Sequence, residues 1–398
     1  LIARGHEPWL KIDVSASHPV PVKRFIRLSI KSYEVVSHVK EINMLRIHIT
    51  SLLVVLMAAG LGYASAAEAK TFKIATVSPD GLSWMKELRA GAKEIAKKTD
   101  GRVKFKIYPG GVQGDDYTVM RKVRIGQLQG GVMAASTLTR FYPDLQIYNL
   151  PLLFRDQQEV DYVRARMDDR IINGLGEGGI VSFSLAETGF AYMLTNEPVA
   201  SINDLQKIKA WVPDGDPISA QLIQSFGISP IPLGLPDVLA GLQTGLIDSV
   251  AVPPIVALAL QWHNHVKYIT RLPLMYIYSM LALDQKAFNQ ISATDQMIVR
   301  SVMNQVFSNI DSDNRRDNKL AYDALLSQGI KEVNPTAEQL VGWRLQADSA
   351  IEKLLDSDGI TQASLDMIQQ HLADFRDAQS NETAVSIESA NVSERTGD

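Results

Sequence analysis

The residues whose types could do chemistry are few, and their spacing suits little of it. His263 and His265 stand two apart beside Trp262, whereas a helical metal pair needs a spacing that puts both imidazoles on one face, and no carboxylate completes a ligand set nearby. The run GLGEGG at 174–179 carries the letters of a dinucleotide-binding turn, yet it follows a helical stretch instead of ending a strand and opening a helix, so it reads as a loop. Neither G-x-S-x-G nor H-E-x-x-H nor a P-loop occurs. The 398 residues contain no cysteine, which removes thiol nucleophiles, thiolate metal sites and disulfides together. The chain is therefore expected to be no enzyme and to hold neither a cofactor nor a metal.

A composition of 46% hydrophobic and 21% charged residues is that of an ordinary globular chain, long enough for two domains with separate cores. A net charge of −4 and the absence of any Lys/Arg-rich run argue against nucleic acid as a partner. Near the start, Arg46 precedes an apolar run at 51–59 and then Ala64-Ser65-Ala66 and Ala67-Glu68-Ala69. A basic start, a short apolar middle and an A-x-A exit predict a signal peptide over 44–69 and export to the periplasm. The run falls short of the ~20 apolar residues of a spanning helix, so the mature protein is expected not to span a membrane. Residues 1–43 show no period or caps and read as an upstream extension, outside the fold.

From Lys70 the pattern alternates strand and helix: strands at 71–77, 103–108 and 130–134, helices at 84–98 and 117–127. A second such unit opens near Gly189, with strands at 191–195 and 209–212 and a helix at 217–226. That alternation predicts an α/β fold with a largely parallel sheet. Beyond Asp284 the chain reads as mostly helical, over 294–327 and 336–356, and 378–398 reads as a disordered polar tail.

Seven short segments in order resemble a known family: DGRVKFKIYPGGVQG at 100–114, IGQL at 125–128, NLPLLF at 149–154, INDL at 202–205 with Val212-Pro213, GISP at 227–230, and LQTGLID at 242–248. They are similar to the DctP-type solute-binding proteins of tripartite ATP-independent periplasmic (TRAP) transporters. The resemblance implies a two-lobed α/β fold like that of periplasmic binding proteins, with a ligand cleft between the lobes and C-terminal helices. On this sequence it places lobe I at 70–188 plus about 277–318, and lobe II at 189–276 plus about 319–377. It also implies a small organic ligand, integral membrane permease subunits as partners, and a monomer.

The family's ligand is usually an organic acid held by a buried arginine two residues before a strand proline, and here that place is Trp211. A second arginine, often found after the glycine at 189, is replaced by Ala191 or its neighbours, and the family's G-Q-E-N-P reads SVAVP at 249–253. Val77 and Ala134 stand where polar cleft residues are expected. The implied cleft is therefore apolar, with Trp211 as its floor, Val252 beside it, and Gln113, Ser136, Thr137, Glu187, Tyr192, Asp214 and Asp216 as polar candidates. Its expected ligand is more apolar or aromatic than a C4-dicarboxylate, and Glu187 would also suit an amine. Two alternatives stand beside this: Trp211 packs in the core while Arg140 or Lys209 receives a carboxylate, or the chain is a freestanding carrier of hydrophobic molecules. Tyr276 and Tyr278 are further cleft candidates, though alternating aromatics in a strand more often serve packing.

Overall fold

The computed structural model describes residues 69–395. The expected extension at 1–43 and nearly all of the signal peptide at 44–69 lie outside them. Phe72 and Ile74 alternate inward along β1 (Lys70–Ala75), which pairs in parallel with β2 (Val103–Tyr108) and β3 (Gly130–Ala134). Helix α1 (Ser83–Lys98) lays Met85, Leu88 and Ile95 on that sheet, a period of three to four that buries one face. Helix α2 (Asp116–Arg124) starts where Asp115 accepts a hydrogen bond from the Thr118 N–H at 2.6 Å. Helix α3 (Gln157–Glu177) is capped by Asp156, and its C-terminal end carries the glycine run. Gly174 there meets the ring of Tyr142, and Gly178 the carbonyl of Phe141, so these glycines serve close packing of a helix end.

After the short strand β4 (Ile180–Val181), β5 (Ala186–Thr195) leaves the first lobe and enters the second. There it meets β8 (Ser249–Val252) and β9 (Tyr268–Thr270). Between them the chain forms the parallel pair β6 (Trp211–Pro213) and β7 (Ile231–Leu233), with helices α4 (Pro217–Ser225), α5 (Val238–Thr244) and α6 (Pro254–Ala259). Strand β10 (Met275–Asp284) returns to the first lobe, antiparallel to both β5 and β3. The long helix α7 (Ala293–Ser327) then runs back, followed by β11 (Lys331–Val333), α8 (Ala337–Asp356) and α9 (Gln362–Arg395). The main sheet has nine strands in the order β11-β9-β5-β10-β3-β1-β2, with β4 on β10 and β8 on β5. It is mixed where a largely parallel sheet was expected, because two strands shared by the lobes must run in opposite directions. Among the described residues no helix is long and apolar enough to cross a membrane.

Two C-terminal expectations need correction. Helix α9 continues to Arg395, so the segment from 378, read as a disordered tail, is helical to that point. Residues 362–376 also pack on the first lobe, not the second: Arg376 pairs with Glu159 of α3 at 2.6 Å, and Ser364 and Thr361 hydrogen-bond Asp144. Helix α8 is tied to the segment after β5, where the Trp343 indole N–H donates to the Ala200 carbonyl at 3.0 Å.

The strand crossing is clamped by buried charge. The Arg164 guanidinium of α3 pairs with Asp168 at 3.0 Å and with Asp311 of α7 at 2.6 Å, and it also donates to the Tyr276 hydroxyl and the Leu185 carbonyl. Asp311 in turn accepts the Glu187 N–H at 2.7 Å, while Asn314 and Asn318 donate to the carbonyls of Glu187 and Thr188. The ladder with β10 shifts register beside this point, and Gly189 there has φ +120° with its α-carbon facing the Asn318 carboxamide. A Cβ at 189 would suffer both the backbone strain and the collision. Gly189→Ala should therefore cost about 1–3 kcal/mol and lower the melting temperature by several degrees, measured by circular dichroism. An unchanged melting temperature would mean that the crossing relaxes without cost.

Candidate functional site

The lobes enclose a cavity of about 360 Å3, within the range of small-molecule sites. The first lobe contributes the end of β1 (Thr76, Val77), the start of α2 (Asp115, Asp116, Tyr117), the residues after β3 (Ser136, Thr137), and Gln146 and Asn149. The second contributes Trp211, Asp214, Asp216, Ala251 and Val252, and the crossing strands add Thr188, Met275 and Ile277. The lobes are closed on each other: the Tyr117 ring lies against Gly215, and Gly111 lies against Pro236.

Trp211 lines the cavity from β6. Its indole N–H donates to the Leu233 carbonyl at 2.9 Å, and its ring stands edge-on to Trp262 with centroids 5.4 Å apart. The side chain is thus fixed, its one donor is occupied inside the second lobe, and what remains for a ligand is apolar ring surface. Ala251 and Val252 flank the same space, while Val250 is only 1% exposed in the second lobe's core.

Of the other candidates, Ser136, Thr137, Asp214 and Asp216 also line the cavity. Three other candidates do not, each for a visible reason. Gln113 is engaged by Lys122, whose ammonium donates to the Gln113 side-chain and main-chain oxygens at 2.9 and 2.8 Å. Glu187 is buried in the clamp, accepting from Gln157 at 2.8 Å and pairing with Arg315 at 3.4 Å; burial raises its carboxyl pKa, and Arg315 opposes the rise. Tyr192 packs edge-to-face on Tyr322 at 5.2 Å. Tyr276 and Tyr278 are fully buried, with the Tyr278 hydroxyl on the Leu145 carbonyl at 2.7 Å. The alternative cations are elsewhere too. Lys209 donates to the Gly245 carbonyl at 3.0 Å, and Arg140 lies over the Phe141 ring.

Among the described residues that line the cavity there is no lysine, arginine or histidine, but there are four aspartates, 115, 116, 214 and 216. Asp115 and Asp216 serve as helix N-caps, and Asp216 also accepts the Ser219 hydroxyl at 2.7 Å. Asp116 differs. Its Oδ2 accepts the Ala134 N–H at 3.1 Å, while its Oδ1 is shielded and has no hydrogen-bond partner. Burial pushes the Asp116 carboxyl up to about 7, opposed by the Ala134 N–H and reinforced by Asp115. Gln146 Nε2 and Asn149 Oδ1 are likewise buried without partners, and the Tyr117 hydroxyl stands near Asp216 and Ser136. Burial, with nearby Asp216, also raises the Tyr117 phenol pKa. Unpaired buried polar atoms are costly, and when they share a cavity they are natural partners for whatever fills it.

Sequence reasoning missed these four groups. Asp116 and Tyr117 follow a Gly114 turn that reads as a helix start, where an acidic residue is expected for capping alone. Gln146 and Asn149 lie on a short tight helix, Pro143–Asn149, whose burial has no periodic signature.

The profile of the DctP family, described as bacterial extracellular solute-binding protein, family 7, matches residues 74–358. A solute-binding protein of Verminephrobacter eiseniae is 24% identical over 210 residues, covering 52% of this chain and 62% of the relative. The C4-dicarboxylate-binding periplasmic protein DctP of Rhodobacter capsulatus is 23% identical over 257 residues, covering 63% of this chain and 76% of that one. The crystal structure of a TRAP periplasmic solute-binding protein from Desulfovibrio salexigens with bound orotic acid superposes with a TM-score of 0.69 at 19% identity. It covers 76% of this chain and 99% of that one.

The raised Asp116 pKa makes a stability prediction. An unfolded aspartate titrates near 3.9, so the fold favours the protonated form. That contribution is fully present below the unfolded value and is lost as pH rises through about 7. In the ligand-free protein, Asp116→Asn should therefore melt several degrees above the parent at pH 8, the gap closing toward pH 4, as read by differential scanning fluorimetry. Parallel curves would place the carboxyl in contact with water.

Proposed function

The chain belongs to the DctP family of bacterial extracellular solute-binding proteins, and on that footing we propose that it is the periplasmic solute-binding component of a TRAP transporter. It captures a small organic ligand between its lobes and delivers it to an integral membrane permease. The ligand is more apolar or aromatic than a C4-dicarboxylate. The observation that carries this reading is the cavity lining: Trp211, Ala251, Val252 and Met275 meet there, and among the described residues no cation does.

The energetics favour it. A carboxylate closed into this space would lose its water and, among the described residues that line the cavity, meet neutral donors but no cation. Apolar ligand surface gains about 25 cal/mol per Å2 on burial, and the indole offers a flat platform for an acyl or aromatic group. The names of the relatives favour a second reading, an organic acid, which here would have to be held by neutral donors alone. A freestanding carrier would use the same cavity without a permease.

Native mass spectrometry of the purified protein, with solvent extraction of what it releases, separates the two ligand readings. An apolar or aromatic compound is expected; a small di- or hydroxycarboxylate would overturn the ligand assignment. Trp211→Arg should gain about tenfold or more in affinity for succinate-sized acids in isothermal titration calorimetry, since one charged hydrogen bond amounts to roughly that factor. No gain would mean that position 211 does not face the ligand.

A further inference from the structure

Taking the inter-lobe cavity as the solute site, we propose that its ligand is an apolar amine whose ammonium group is received by Asp116 and Asn149, and that the matched carboxylate is rejected. Both acceptors are buried oxygens without a partner: Asp116 Oδ1, and Asn149 Oδ1, whose amide is oriented by its own Nδ2 donating to the Tyr276 carbonyl at 3.0 Å. An ammonium group has three donors and no acceptor, which complements such a pair. The surrounding charge points the same way. None of the four lining aspartates makes an ion pair among the described residues, so no cation of the protein competes with a ligand's ammonium for them. Gln146, 5% exposed and with Nε2 unpartnered, adds a neutral donor suited to an oxygen on the same ligand. For a carboxylate it would be an uncharged partner beside four acidic groups. The remaining lining is hydrocarbon and indole, which demands that the rest of the ligand be apolar. Glu187 does not take this role, since Arg315 and Gln157 occupy it.

The test is calorimetric titration of the purified, ligand-stripped protein with matched amines, alcohols and carboxylates on phenylpropyl, cyclohexylmethyl and n-hexyl frames. On at least one frame the amine should bind about tenfold or more tighter than the alcohol, and the carboxylate weakest. Asp116→Asn, nearly isosteric, should lower the amine's affinity about tenfold or more and so remove its advantage over the alcohol, with an unchanged circular-dichroism spectrum reporting that the fold is kept. If alcohol and amine bind equally, or the carboxylate binds best, the charge reading fails and solute binding by the cavity stands. If no member of any series binds, both the amine assignment and the apolar-ligand reading are overturned.

Discussion

The fold turns on a guanidinium that cannot be left unpaired. Arg164 is largely withdrawn from water, and its ion pairs with Asp168 and Asp311 and its bonds to the Tyr276 hydroxyl and Leu185 carbonyl join α3, α7, β10 and the approach to β5. A buried charge contributes little net stability when paired, but losing one partner costs several kcal/mol. The arrangement therefore acts as a constraint on geometry: α7 must lie where Asp311 reaches Arg164, and then Asn314 and Asn318 of the same helix face meet the irregular backbone at Glu187 and Thr188. Glu187 completes the cluster through Arg315. The crossing strands are thereby held to one register at the floor of the cavity, and the positions of Met275 and Ile277 follow from it.

How much of this was legible in the sequence depends on the range of the forces involved. Strands with alternating apolar residues, such as 103–108, and helices with local caps, such as Thr336 with Gln339, were readable because pattern and cap are neighbours in the chain. Trp211 drew notice through its distance to Pro213 and the resemblance that gave that distance meaning, and its ring stands at the cavity. Glu187 was misassigned because its partners, Gln157 and Arg315, come from segments 30 and 128 residues away, and nothing local announces a carboxylate that is already paired. The direction of β10 and the docking of α9 on the first lobe were hidden for the same reason. The 378–395 stretch reads as a tail because its sequence is rich in Ser, Asn, Glu and Thr.

The cavity itself shows two forms of polar accounting side by side. In the clamp, charges of both signs are matched within 4 Å, and hydrogen bonds finish what the ion pairs leave. In the cavity, among the described residues, acidic groups stand without basic ones, and Asp116 Oδ1, Gln146 Nε2 and Asn149 Oδ1 lack partners. Such a surplus is tolerated in a folded protein where a bound molecule can answer it. The indole of Trp211 belongs to the first kind: its N–H is matched inside its own lobe, so the ring contributes shape and apolar surface but not hydrogen-bond specificity.

The docking of α9 gives the two lobes unequal mechanical standing. β1 begins in the first lobe and α9 lies on that same lobe through Arg376 and Ser364, so the second lobe is an excursion of the chain, entered and left through the crossing segments. A force applied between Lys70 and Arg376 would pass through the first lobe without crossing the cleft. Tethering by either end would likewise load the lobe that holds Asp116, leaving the lobe that holds Trp211 to swing as an unburdened arm.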